Sequence, residues 1–240
     1  MEKPDMQTGS TAVMDLRQFH HFLMRHAFYP MLLSTGLACG LFVGRVYLSQ
    51  SATYRFLVWN LFLAWIPYIS SLWAAYLHRS HPRRWWVLLF PGAIWLLFFP
   101  NAPYILTDFL HLQTRWAVPM WYDTVLIAAF SWTGLFLGIF SLRAMQSLVR
   151  AFLGSTVSWL FVLGALVASS LGIYIGRFLR WNSWDLLLHP QSILTEVTVR
   201  LANPLIYRQT FGVTVLFAAF LLVCYLTFAT ATLSEQAADV

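Results

Sequence analysis

An all-α integral membrane fold with about six transmembrane helices is what this sequence predicts, and three observations carry that expectation. Of the 240 residues, 59% are hydrophobic and only 10% charged, against about 25% charged in an ordinary soluble domain. So little polar surface cannot cover a water-soluble globule, and lipid becomes the expected solvent. The charges lie in short clusters between long apolar runs, as membrane-flanking charge does. The shortest run free of Asp, Glu, Lys and Arg holds 18 residues, and about 20 helical residues cross a hydrocarbon core. Only helices or a closed barrel satisfy every backbone group in lipid, and unbroken apolar runs exclude the alternation of barrel strands.

Residues 1–26 read as a basic amphipathic segment. Arg17, His21 and Arg25 share one helical face and Leu16, Phe19 and Leu23 gather on another, the pattern of a helix lying on an anionic leaflet. The membrane domain follows at 27–233, with spans over 27–44, 56–77, 85–107, 124–142, 151–176 and 209–233, and a tail at 234–240. Cys39 and Cys224 each lie inside an apolar run and neither resembles half of a metal or redox pair. Small residues recur every fourth position at Gly36, Gly40 and Gly44, at Gly134 and Gly138, and at Gly164, Ala168, Gly172 and Gly176. Such stripes let helix backbones approach closely in lipid.

Orientation follows from the distribution of Lys and Arg. With the amino terminus inside, the inner segments hold Lys3, Arg17, Arg25, Arg79, Arg83, Arg84, Arg143 and Arg150, eight against seven outside, and "HRSHPRR" from His78 to Arg84 is the densest cluster. Connections separated by two crossings share a side. The third-to-fourth connection, "PNAPYILTDFLHLQTRWAVPMWYD", and the fifth-to-sixth, beginning "GRFLRWNSWD", therefore face one compartment.

Those two connections hold the candidate site. Pro100 and Pro103 interrupt the third helix and free carbonyl groups, for which Asn101 is a partner; Tyr104 lies beside them. Asp108 and His111, three apart, share a face if helical, and with Asp123 they offer two carboxylates and an imidazole as acid/base groups or as ligands to a divalent metal ion. Capping by Thr107 or Asp108 is the structural alternative. Arg177 and Arg180, also three apart, offer planar donor forks to a phosphate or carboxylate, or else snorkel to lipid headgroups. Asn182 or Ser183 caps a helix beginning near Trp184 and places Asp185 in its first turn. A pair between either arginine and Asp108, Asp123 or Asp185 would tie the connections together. Trp116, Trp121, Trp181 and Trp184 suit an aromatic belt. Pro190 starts a helix with Ile193, Val197 and Leu201 at fourfold spacing and Glu196 paired with Arg200, an amphipathic lid.

The joint occurrence of "PNAPYILTDFLHL", "WYD" and "GRFLRWNSWD" resembles a family of bacterial polytopic membrane proteins known as domain of unknown function 1361, over roughly residues 30 to 230. The resemblance implies the architecture and a place in the bacterial cytoplasmic membrane, and implies no reaction. Three function classes stand beside it. One is a membrane-embedded enzyme acting on a lipid or lipid-linked phosphate, with Asp108, Asp123 and His111 as its reactive groups and Arg177, Arg180 and Asn101 holding the headgroup. Another is a structural or interaction protein in which the polar cluster locks loops together. The third is a transporter, disfavoured by runs free of ionisable residues. The net charge of +6 does not point to nucleic acid, because the bases flank oily runs; membrane lipids are the expected partners. Neither a nucleophile elbow nor a nucleotide-binding glycine loop is present.

Overall fold

The computed structural model describes residues 16–113 and 118–238, with the side chains of 187 and 230–238 outside the description. Lys3, Trp116 and the end of the tail fall outside it, so the readings placed on them are not met here. Among the described residues the fold is helical, with no strands: α1 (Leu16–Arg25), α2 (Phe28–Ser49), α3 (Arg55–Ser80), α4 (Leu89–Phe98), α5 (Asn101–Tyr104), α6 (Met120–Phe178), α7 (Asp185–Leu188), α8 (Pro190–Ala202) and α9 (Arg208–Ala238). Short 3-10 turns at Trp85–Leu88 and Ile105–His111 extend α4 and α5 into one nearly continuous helical path. Five helical stretches are long and apolar enough to cross a membrane.

The longest of them, α6, contains 59 residues and folds back on itself. Gly154 sits at φ 82° and ψ 177°, a combination open essentially to glycine. A Cβ on Gly134 would lie 2.6 Å from the Ala102 carbonyl, and one on Gly172 would lie 2.9 Å from Pro100. A straight helix would hold Gly134 and Gly172 roughly 57 Å apart, so both can touch the 100–102 turn only if α6 is a hairpin. The predicted fourth and fifth runs are its two arms.

Helix α3 lies at the centre, burying Leu57, Leu61, Ala64 and Tyr68 against Ile127, Phe130 and Leu137 of the first α6 arm. The second arm packs Val162, Leu166 and Ile173 with Trp95 and Phe99, and α9 closes this half through Leu221 and Tyr225. In lipid such contacts stabilise through close packing rather than water exclusion. Glycines at the seams act accordingly. Gly44 leaves room for Tyr122, whose hydroxyl donates to the Leu41 carbonyl at 3.0 Å, and Gly176 lies against Tyr104. A methyl group at Gly36, Gly40 or Gly164 would meet nothing within 4 Å among the described residues, so those parts of the stripes pack against none of them.

The prolines interrupt less than their spacing predicts. Pro100 precedes α5 and Pro103 lies in its first turn, where a missing N–H costs little. The freed Phe98 carbonyl accepts a hydrogen bond from Asn101 Nδ2 at 3.0 Å, and the helical path continues to His111. Helix α2 likewise runs past the apolar run ending at residue 44, to Ser49, which places Arg45 inside a helix. In α8 Ile193 is buried and Val197 partly so, while Leu201 is exposed, so the predicted apolar face is covered over only part of its length.

Candidate functional site

Two buried ion pairs are built from residues that the sequence brings to one end of the bundle. The first joins α2 to the start of α6. Arg45 is 1% exposed and Asp123 is fully buried; Arg45 donates from Nε to Asp123 Oδ1 at 2.7 Å and from Nη2 to Oδ2 at 3.2 Å. Its remaining nitrogen reaches Ser49 Oγ at 3.2 Å and the Ser51 carbonyl at 3.4 Å, and the guanidinium lies 4.6 Å from the centre of the Tyr54 ring. This planar fork satisfies a carboxylate in a way a lysine could not. Asp123 therefore stands with Arg45, and not with Asp108 and His111 as its place in the "WYD" stretch predicts. Among the described residues no group of three His, Cys, Asp or Glu side chains is placed to hold a metal ion.

The second pair joins the 105–111 turn to the end of α6. Asp108, 1% exposed, accepts from Arg177 Nη2 on Oδ1 and from Asn60 Nδ2 at 2.8 Å on Oδ2. Arg177 also donates from Nε to Thr107 Oγ1 at 2.8 Å and from Nη1 to His111 Nε2 at 2.7 Å, and lies 4.8 Å from the centre of the Tyr104 ring. A guanidinium has no acceptor, so His111 Nε2 must accept, and its proton sits on Nδ1. The imidazole packs edge-on to Phe56 with centroids 5.0 Å apart. Asp108, His111, Arg177 and Tyr104 thus come together as the two-connection argument predicts, with Asn60 and Thr107 added.

Arg180 does not join them. Helix α6 ends at Phe178, Leu179 caps it, and Arg180 turns into the left-handed region at φ 62°, which breaks the i,i+3 face that Arg177 and Arg180 would share. Arg180 is exposed. The following turn is held differently from the predicted capping. Asp185 Oδ2 accepts from the Asn182 backbone N–H at 2.7 Å and from its Nδ2 at 3.2 Å, so the carboxylate reaches back to the asparagine. Ser183 instead receives a hydrogen bond from Asn101 Nδ2 at 2.8 Å, a second tie between the connections.

Beside this network lies a cavity of about 370 Å³, between α3, the α4–α5 path, the second arm of α6 and the α7–α8 turn. Leu63, Leu97, Phe99 and Ile175 give it apolar walls, while Asn60, Asn101, Ser169, Asn182 and Ser183 bring amide and hydroxyl groups to its lining, with Tyr104 among them. Asn60 serves both features, since it lines the cavity and donates to Asp108. Trp59 and Trp184 meet edge-on at 6.4 Å beside it.

Sequence reasoning missed Arg45, Asn60 and Thr107 as site residues. The apolar run stops at Gly44, so in the linear sequence Arg45 falls just beyond a span rather than inside a helix. Asn60 is an amide in the middle of an apolar run, and a search confined to charged residues passes over it; an uncharged hydrogen-bonding side chain at that depth was the available signal.

The family described as protein of unknown function (DUF1361) matches residues 59–224, a stretch that takes in the Asp108–Arg177 network and starts later than the motifs alone suggest. No curated protein and no solved structure matches the chain.

Proposed function

This chain belongs to the DUF1361 family of proteins of unknown function, and from that premise we propose that it is a multi-pass protein of the bacterial cytoplasmic membrane that binds a lipid-like amphiphile. Its polar network serves as the lock that shapes the binding cavity. The observation that carries the reading is the cavity with apolar walls and amide and hydroxyl groups in its lining, the composition expected of a small-molecule site. Both candidate carboxylates are engaged by arginines, which supports a locking role for Asp108, His111 and Arg177 over acid/base or metal chemistry.

Six crossings follow if each arm of the α6 hairpin spans once. With the amino terminus inside, the 113 and 203 regions lie outside and the Gly154 turn inside. Two contacts agree with that parity: Phe152, near the Gly154 turn, meets His78 at 5.0 Å, and Arg79 lies 6.0 Å from the Phe22 ring. Single cysteines at Gln113, Asn203 and Ser155, in a protein whose Cys39 and Cys224 are replaced, test it with an impermeant thiol reagent on whole cells. Labelling of 113 and 203 but not 155 is expected; labelling of 113 and 203 from opposite sides removes the arrangement.

Binding is tested on protein extracted in native lipid particles, stripped with excess detergent, denatured and analysed for retained amphiphile by mass spectrometry. A near-stoichiometric species is expected in the wild type and lost in Ala168→Trp, which fills the cavity. Equal retention in both, or none in either, overturns the reading.

A further inference from the structure

The chemistry of the cavity wall restricts what it can hold, given the amphiphile-binding reading on which this step rests. None of the described residues lining the cavity is Asp, Glu, Lys, Arg or His. Arg177 is already paired with Asp108 behind Asn60 and Tyr104, and Arg180, next to the lining residue Trp181, is exposed and not itself part of the lining. A phosphate or carboxylate drawn into the cavity would lose its water without meeting a cation in the wall, and desolvation of an unpaired charge is strongly unfavourable. An uncharged head meets no such barrier.

The unused hydrogen-bonding capacity of the wall comprises amide acceptors and one buried hydroxyl. Asn60 and Asn101 each spend Nδ2 within the protein, on Asp108, Phe98 and Ser183, and among the described residues their Oδ1 atoms have no partner, leaving acceptors that a ligand hydroxyl would satisfy. Deeper in, Ser169 is 1% exposed and its Oγ makes no hydrogen bond, although it lines the same cavity. Ser169 precedes Gly176 by seven residues, roughly 10 Å along the arm. The lining continues to Ala165, so the cavity is a slot running along the helix. Its volume of about 370 Å³ lies near the lower end of ligand sites, which span about 300–1,000 Å³; that suits one chain and excludes a whole two-chain phospholipid.

We propose that the slot binds an uncharged, hydroxyl-bearing amphiphile with a single apolar chain, of the monoacylglycerol type. Its hydroxyls meet Asn60, Asn101 and Ser183, its ester carbonyl passes Gly172 and accepts from the Ser169 hydroxyl, and its chain continues along the slot past Ala165.

The test uses the full chain in lipid nanodiscs, because maltoside detergents belong to the proposed ligand class. Monooleoylglycerol, oleoyl lysophosphatidate and inorganic phosphate are titrated separately, read by native mass spectrometry and by quenching of tryptophan fluorescence with a brominated chain. Monooleoylglycerol is expected to bind at least tenfold more tightly than lysophosphatidate. Ser169→Ala should weaken it about 2- to 10-fold, the loss of one hydrogen bond, and Ala168→Trp should abolish it. Lysophosphatidate binding as tightly, and still lost in Ala168→Trp, overturns the uncharged class while leaving the amphiphile site intact. Binding of phosphate alone, or monooleoylglycerol affinity unchanged by Ser169→Ala, also overturns the proposal. If neither lipid shows binding sensitive to Ala168→Trp, the amphiphile site itself fails.

Discussion

Arg45 grips Asp123 through two nearly parallel hydrogen bonds, 2.7 and 3.2 Å long, between side chains that are 2% and 1% exposed. The contact joins α2 to the first arm of α6, and it removes Asp123 from the neighbourhood in which its sequence position would place it. Asp108 is treated alike by Arg177. Each acid has its own cation, and a bundle with little internal charge keeps that charge in neutral pairs.

Removing one member of the Asp108–Arg177 pair leaves a buried charge without its partner. Asp108→Asn and Arg177→Gln are each expected to lower stability by about 3–5 kcal/mol. The double variant should cost less than the sum of the two. Thermal unfolding followed by size-exclusion fluorescence measures the coupling, and additive losses would show that the two side chains act independently.

At Arg45 the geometry of the fork matters as well as the charge. Arg45→Lys keeps the charge but loses the bidentate contact and the bonds to Ser49 and Ser51, so it should destabilise by roughly 1–3 kcal/mol. A combined Arg45→Met and Asp123→Leu variant should recover most of the loss, since apolar replacements of a buried pair are often neutral. Melting temperatures of the three variants decide it.

The glycine seams separate sharply by position. Gly134→Ala pushes a methyl group against the Ala102 carbonyl and Ile105, and Gly172→Ala pushes one against Pro100; each should cost about 1–3 kcal/mol by overpacking. Gly36→Ala and Gly164→Ala meet open space and should leave stability unchanged or slightly raised, because helical glycine is entropically unfavourable. A single ranked set of melting temperatures checks all four.

Acid should loosen the α1–α2 junction through His26. Burial lowers the pKa of this imidazole, its Nδ1 bond to the Phe22 carbonyl at 2.8 Å opposes the shift, and Arg79 and Arg25 add to the lowering. The folded state therefore holds the proton less well than the unfolded one, whose imidazole titrates near its ordinary value of about 6.5. Stability from this group is present above about pH 6.5 and declines as pH falls through that value toward the lower folded pKa. Protection factors across residues 16–30, normalised for the intrinsic pH dependence of exchange, should fall at pH 5.5 relative to 7.5, and His26→Phe should remove the difference.

The all-helical class was legible in the residues alone, because long apolar runs leave a backbone in lipid no stable form other than helix. Counting six runs puts the 100–111 and 176–185 segments on one side, which permits their meeting without requiring it, and Asp108, His111 and Arg177 do meet. Tertiary structure alone decided the pairing. Arg45 stands at the end of a run only in the linear text; in α2 it faces Asp123, across 78 positions of chain. Asn60 reaches Asp108 across 48, and Arg180 leaves Arg177's face because the helix ends between them. Periodicity reports which residues lie along one helix face. Which charge meets which depends on how helices rotate and cross, and close packing around Gly134, Gly172 and Gly44 fixes those angles.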